Sequence, residues 1–67
     1  MRTYYWVWRC LPNVTIDPFV EYYNKYGTSP IFVKVGEKVN IPLPEDIIIL
    51  EEKPKDSNEI WMRHDSN

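Results

Sequence analysis

The stretch Thr3-Tyr4-Tyr5-Trp6-Val7-Trp8-Arg9-Cys10 decides how this chain is read, because bulky apolar side chains stand at both its odd and its even positions. A strand with one solvated face alternates apolar and polar residues. A strand rich on both faces is either central in a sheet or half committed to a partner. Which of the two holds is the functional question, since the rest of the sequence carries no catalytic motif, phosphate loop or metal-ligand spacing.

Downstream, Leu11-Pro12-Asn13 breaks the pattern, and Asp17-Pro18 reads as a helix start with Asp as N-cap and Pro at the first helical position. Gly27 is a natural stop. At the helical pitch, Phe19, Val20, Tyr22, Tyr23 and Tyr26 share an arc of about 160°, with Glu21, Asn24 and Lys25 opposite. So short a helix needs a buried face, and the aromatic stripe is read as packing rather than base stacking.

Ile31–Val35 and Lys38–Leu43 read as a hairpin. A three-residue loop, Gly36 to Lys38, pairs Val35 with Val39, Val33 with Ile41 and Ile31 with Leu43, which keeps one face wholly apolar. Pro42 and Pro44 end the second strand. Asp46 to Lys53 reads as the next strand, Pro54 to Asn58 as a polar loop and Glu59 to His64 as the last strand. That loop sets Leu50 opposite Met62 and Glu52 opposite Ile60, with Ile47, Ile49, Glu51, Trp61 and Arg63 on the other face.

The fold expected is α+β: a small antiparallel sheet of about five strands in β-α-β-β-β-β order, partly rolled or SH3-like, with one short helix on one face. Sixty-seven residues make a single domain, 1–67, with 65–67 read as a frayed C-terminus. Cys10 is the only cysteine, so aromatics take the place of disulfides: five Tyr, three Trp and two Phe.

A lone cysteine and the lack of a secretion-type apolar run point to a reducing, cytoplasmic location. Asn13-Val14-Thr15 matches a glycosylation sequon and is read as an ordinary loop. The longest aliphatic run, Ile47 to Leu50, is far short of the ~20 residues of a membrane helix. Net charge is −2, with five basic and three acidic residues in 1–44 against three basic and seven acidic in 45–67. Overall acidity disfavours nucleic acid as a partner.

Cys10 and His64 are the only candidate nucleophile and base, and Cys10 shares a strand face with Tyr4, Trp6 and Trp8, which reads as a small buried hydrophobe. No enzyme, cofactor or metal is therefore expected. His64, near the chain end, reads as solvated. Glu45, Asp46, Glu51, Glu52, Asp56 and Glu59 form an acidic patch that mimics phosphates only weakly, because Lys53 and Lys55 interrupt it.

Tyr5, Val7, Arg9, Ile49, Trp61 and Arg63 are expected on one face as a partner-binding surface, since interface hot spots are rich in Trp, Tyr and Arg. The alternative is a barrel that closes over them. The expected function is a non-enzymatic protein-binding module, of the kind a virus or mobile element encodes to occupy a surface of a host enzyme or defence complex. A homodimer is a further form of the same reading. The runner-up is single-stranded nucleic-acid binding, with sheet-face aromatics stacking bases and Arg9, Arg63 and Lys34 following the backbone.

Overall fold

The helix forms where its end signals stand. In the computed structural model, which describes residues 4–13 and 15–64, α1 runs Pro18–Tyr26 between β1 (Trp6–Arg9) and β2 (Phe32–Val35). The Asp17 carboxylate accepts from the Phe19 N–H at 2.9 Å, and Gly27 closes the helix at φ 75°, its N–H donating to the Tyr23 carbonyl at 2.7 Å. Two short strands follow, β3 (Ile48–Ile49) and β4 (Glu59–Arg63). Thr3 of the first strand, Val14 of the sequon and the expected frayed end at 65–67 lie outside the described residues.

The four strands make an open, mixed sheet in the order β1-β4-β2-β3. β4 is antiparallel to both β1 and β2, while β3 lies parallel to β2. Strands β1 and β2 therefore run the same way with β4 inserted between them, a split β-α-β unit. This corrects the all-antiparallel, five-strand expectation, and the sheet neither rolls nor closes in an SH3-like manner.

The correction has a physical origin in residues 36–43. The Gly36 N–H donates to the Glu59 carbonyl and the Lys38 N–H to the Ser57 carbonyl, both at 2.8 Å, so this turn packs on the loop before β4. β2 then continues its ladder with β4, Val33 opposite Met62 and Val35 opposite Ile60, and the expected pairing with Val39, Ile41 and Leu43 does not form. Ile41 and Leu43 still pack against the core, as coil. Their alternation reports burial rather than a ladder, and Pro42 and Pro44 could not have donated to one.

Residues 36–47 then cross to β3, about the dozen residues a parallel connection needs. Ile48 N–H donates to the Ile31 carbonyl and Leu50 N–H to the Val33 carbonyl. The expected strand 46–53 thus shrinks to two ladder residues at the sheet edge. Leu50 does not meet Met62, nor Glu52 Ile60, because β4 already has a neighbour on each side.

The core sits between the sheet and α1. Val33, Ile60 and Met62 are fully buried, Tyr22 of the helix is 2% exposed, and Trp6, Trp8, Cys10 and Phe19 pack around them. Each such side chain contributes roughly 1.5–3 kcal/mol. The helix buries a narrower stripe than its arc suggested: Val20, Tyr23 and Tyr26 remain exposed. His64 is not a solvated end. It is half-buried, and the Tyr22 hydroxyl and its Nδ1 share a hydrogen bond of 2.5 Å, tying the helix to the end of β4.

Two substitutions test this account. A Cβ at position 36 would lie 2.5 Å from the Ser57 carbonyl oxygen and 2.6 Å from that of Glu59. Gly36→Ala is expected to cost stability at the upper end of the roughly 1–3 kcal/mol of overpacking, read as a lower midpoint in urea. Tyr22→Phe keeps the ring and removes the bond to His64; a loss of about 1 kcal/mol is expected, or about 4–8 °C in Tm for a domain of this size. An unchanged Tm would mean that the bond contributes nothing.

Candidate functional site

Strand alternation sorts the side chains into two sets. On β4, Ile60 and Met62 turn to the core, so Glu59, Trp61 and Arg63 turn away from it. On β2 the same alternation turns Val33 and Val35 inward and Phe32 and Lys34 outward. On the first strand Trp6, Trp8 and Cys10 face the core, and Tyr5, Val7 and Arg9 do not. The face without the helix therefore gathers Tyr5, Val7, Arg9, Phe32, Lys34, Glu59, Trp61 and Arg63.

Five of the six residues expected to bind a partner come together there: Tyr5, Val7, Arg9, Trp61 and Arg63. Ile49 does not. Its register position opposite Val33 puts it on the helix-bearing face, and Ile48, opposite Phe32, holds the place expected of it. The face is neither bare nor closed over: Val7 is 44% exposed, whereas Tyr5, Phe32, Trp61 and Arg63 are half-buried against one another.

Cations and rings alternate across this face. The Arg63 guanidinium carbon lies 4.0 Å from the centre of the Phe32 ring and 5.5 Å from that of Tyr5. The Lys34 ammonium is 4.6 Å from the centre of Tyr5 and 5.6 Å from that of Trp61. Tyr5 and Trp61 meet tilted, 5.7 Å apart. The sequence Phe32, Arg63, Tyr5, Lys34, Trp61 is thus a continuous cation–aromatic row across three strands. Contacts of this type are worth about 0.5–1 kcal/mol at exposed sites and more where water is excluded.

Acidic side chains complete the row. Lys34 also pairs with Glu52, Trp61 Nε1–H donates to Glu59 at 3.1 Å, and Arg9 pairs with Asp56 at 2.6 Å. Half of the expected acidic patch (Glu52, Asp56 and Glu59) is therefore engaged within the molecule, while Glu45, Asp46 and Glu51 stay exposed. The hydrogen bond to the Glu52 carboxylate raises Lys34 above the usual ammonium range, and the same bond holds Glu52 below the usual carboxylate range. A groove of about 440 Å³ opens beside Trp61, between Lys34, Glu52, Pro54, Lys55 and Glu59.

Phe32 was not singled out in the sequence, and Lys34 only as a backbone-following cation. The signal was present in Ile31–Val35, whose inward Val33 and Val35 leave Phe32 and Lys34 on the opposite face. The Tyr22–His64 pair had no such signal, since it joins a helix to a strand end far along the chain.

Cys10 and His64 are held apart. Cys10 N–H donates to the Asn58 carbonyl at one end of β4, while His64 follows Arg63 at the other, roughly 20 Å away by strand rise. Burial pushes the Cys10 thiol above its ordinary range, which lowers its thiolate fraction. Among the described residues no group of acids, His and Cys is placed to hold a metal ion, and no helix is long and apolar enough to cross a membrane. No family model, curated protein or solved structure matches the chain.

The Lys34–Glu52 pair gives a pH test. Glu52 has a depressed folded pKa, so its contribution is present above the unfolded value of about 4.3 and is lost as pH falls through the lower folded one. Lys34 has a raised one, so its contribution is present below about 10.4 and is lost at higher pH. Urea midpoints of wild type and Glu52→Gln should differ slightly between about pH 5 and 10, converge outside that window, and converge in 1 M salt. A difference that persists at pH 2 would refute the pairing.

Proposed function

We propose that the chain is a non-enzymatic protein-binding module whose helix-free sheet face meets another macromolecule. The observation that carries this is the row Phe32, Arg63, Tyr5, Lys34, Trp61: large rings beside cations, half-exposed, with Lys34 paired to Glu52 and the Trp61 indole N–H held by Glu59. A pre-ordered aromatic surface loses little side-chain entropy on binding, and Trp, Tyr and Arg at the centre of a patch are the residue types that dominate interface energetics. The groove beside Trp61 offers a seat for a partner side chain.

The same electrostatics weigh against the nucleic-acid reading. Backbone tracking needs positive charge to spare. Here Lys34 is spent on Glu52 and Arg9 on Asp56, in a protein of net charge −2. An inhibitor that covers a surface of a host enzyme or defence complex is the form of binding module we favour.

Capture with tagged protein from nuclease-treated lysate of its native host tests the proposal. A stoichiometric protein is expected on the wild type, and Trp61→Ala, shown to be folded by circular dichroism, should weaken its retention at least tenfold in Kd, about 1.4 kcal/mol. An empty capture, together with salt-sensitive oligonucleotide binding that Trp61→Ala abolishes, would put the nucleic-acid reading in its place.

A further inference from the structure

β1 is the outer strand of the sheet, and its hydrogen-bonding phase can be worked out. Cys10 N–H donates to the Asn58 carbonyl, and the ladder runs Arg9 to Glu59, Trp8 to Ile60, Val7 to Trp61 and Trp6 to Met62. In an antiparallel pair, bonded and non-bonded positions alternate. Trp8 and Trp6 therefore exchange bonds with β4, and the N–H and C=O groups of Tyr5, Val7 and Arg9 point away from the sheet. No turn, loop or cap hydrogen bond among the described residues reaches these groups either.

Natural sheets protect such an edge with proline, a bulge, inward charge or a covering element. From Tyr5 to Arg9 there is no proline and no glycine, and the single charge, Arg9, lies at the end. The edge is self-complementary as well. If two copies meet antiparallel about a two-fold axis at Val7, Val7 faces Val7, Tyr5 of each copy faces Arg9 of the other, and Trp6 faces Trp8. Val7, Tyr5 and Arg9 are the positions whose backbone points outward, so the pairing is in phase. The symmetric cross-pairs are one apolar pair and two cation–aromatic pairs, and no like charges meet. Arg9 keeps 61% of its side chain exposed beside Asp56, which leaves its guanidinium open to a ring.

We propose that the free edge of β1 is a homodimer seam, and that two chains join through it into one continuous eight-stranded sheet, β3-β2-β4-β1 followed by its symmetry mate. An isologous contact of this kind closes on itself, so it stops at two copies. The seam uses the edge backbone together with Tyr5, Val7 and Arg9, whereas Trp61 lies on β4, inside the sheet and away from the axis, so Trp61→Ala tests the open face separately from the seam.

The test is the solution mass of the full chain by sedimentation equilibrium. Wild type is expected at twice its 8.1 kDa at concentrations of about 100 μM and above. Val7→Lys and Val7→Glu each set like charges face to face across the axis while replacing a 44% exposed side chain, so both should remain folded and become monomeric. Mixed in equal amounts they set opposite charges face to face, and the dimer should return. Trp61→Ala should leave the mass unchanged. A wild type that is monomeric at about 1 mM overturns the seam, as does a dimer that survives Val7→Lys. A monomer overturns it whatever Val7→Lys does to capture, because Val7 also lies opposite Trp61 on the open face. None of these results alters the expected effect of Trp61→Ala on capture by the open face.

Discussion

Both faces of the sheet depend on the alternation in Glu59–Arg63. This strand has a neighbour on each side, and its side chains alternate between the core and the open face. Ile60 and Met62 are fully buried under the helix, while Glu59, Trp61 and Arg63 form the spine of the opposite face. Because the side-chain period is two, a slip of one residue would drive Trp61 and Arg63 into the core and expose Ile60 and Met62. Burial on one side therefore fixes the position of every ring and cation on the other. The close approach of Gly36 to the carbonyls of Ser57 and Glu59 pins the strand's start, and the Tyr22–His64 bond pins its end.

What was legible in the sequence was local. Asp17, Pro18 and Gly27 mark the helix to the residue because caps act within a few positions of themselves. The inward sets Trp6/Trp8/Cys10, Val33/Val35 and Ile60/Met62 follow from alternation alone. Partner choice did not, since it is settled by contacts between segments far apart in the chain. A hairpin of Ile31–Val35 with Lys38–Leu43 would satisfy the same apolar pattern as the observed pairing with Glu59–Arg63. The observed arrangement lets β2 use both edges, with β4 on one and β3 on the other, and places Ile41 and Leu43 over the core without asking Pro42 or Pro44 to join a ladder. Ile49 was assigned to the wrong face for the same reason: its own alternation was sound, but the strand it joins was not the one expected.

The open face shows how a small domain can keep aromatics at its surface. Among the described residues the core is Tyr22, Val33, Ile60 and Met62 with a half-buried fringe, too little to cover ten aromatic residues. Rings left over would make a sticky patch if they stood alone. Threading Arg63 and Lys34 between Phe32, Tyr5 and Trp61 gives each ring a cationic neighbour and buries the aliphatic stems of the cations along ring faces. At the Trp61 end Glu52 pairs with Lys34, and Glu59 accepts from the indole N–H. The result is a surface that is aromatic yet nearly neutral and already ordered. On the proposed reading such a surface would select by shape and by desolvation rather than by long-range attraction.

The first strand was ambiguous because it is rich on both faces, and the structure gives each face a separate reason. Trp6 and Trp8 stack at 5.3 Å and Trp6 meets Tyr22 edge-on at 5.8 Å, so the inward side serves the core. Tyr5 closes the cation–aromatic row, so the outward side serves the open face. Val7 lies opposite Trp61 at the margin of that row, yet it stays 44% exposed and its backbone donor and acceptor point off the sheet. A solvated edge position would be better filled by lysine or threonine. On the proposed reading valine there also serves a third surface, the edge itself, along which a second copy's strand would add to the sheet.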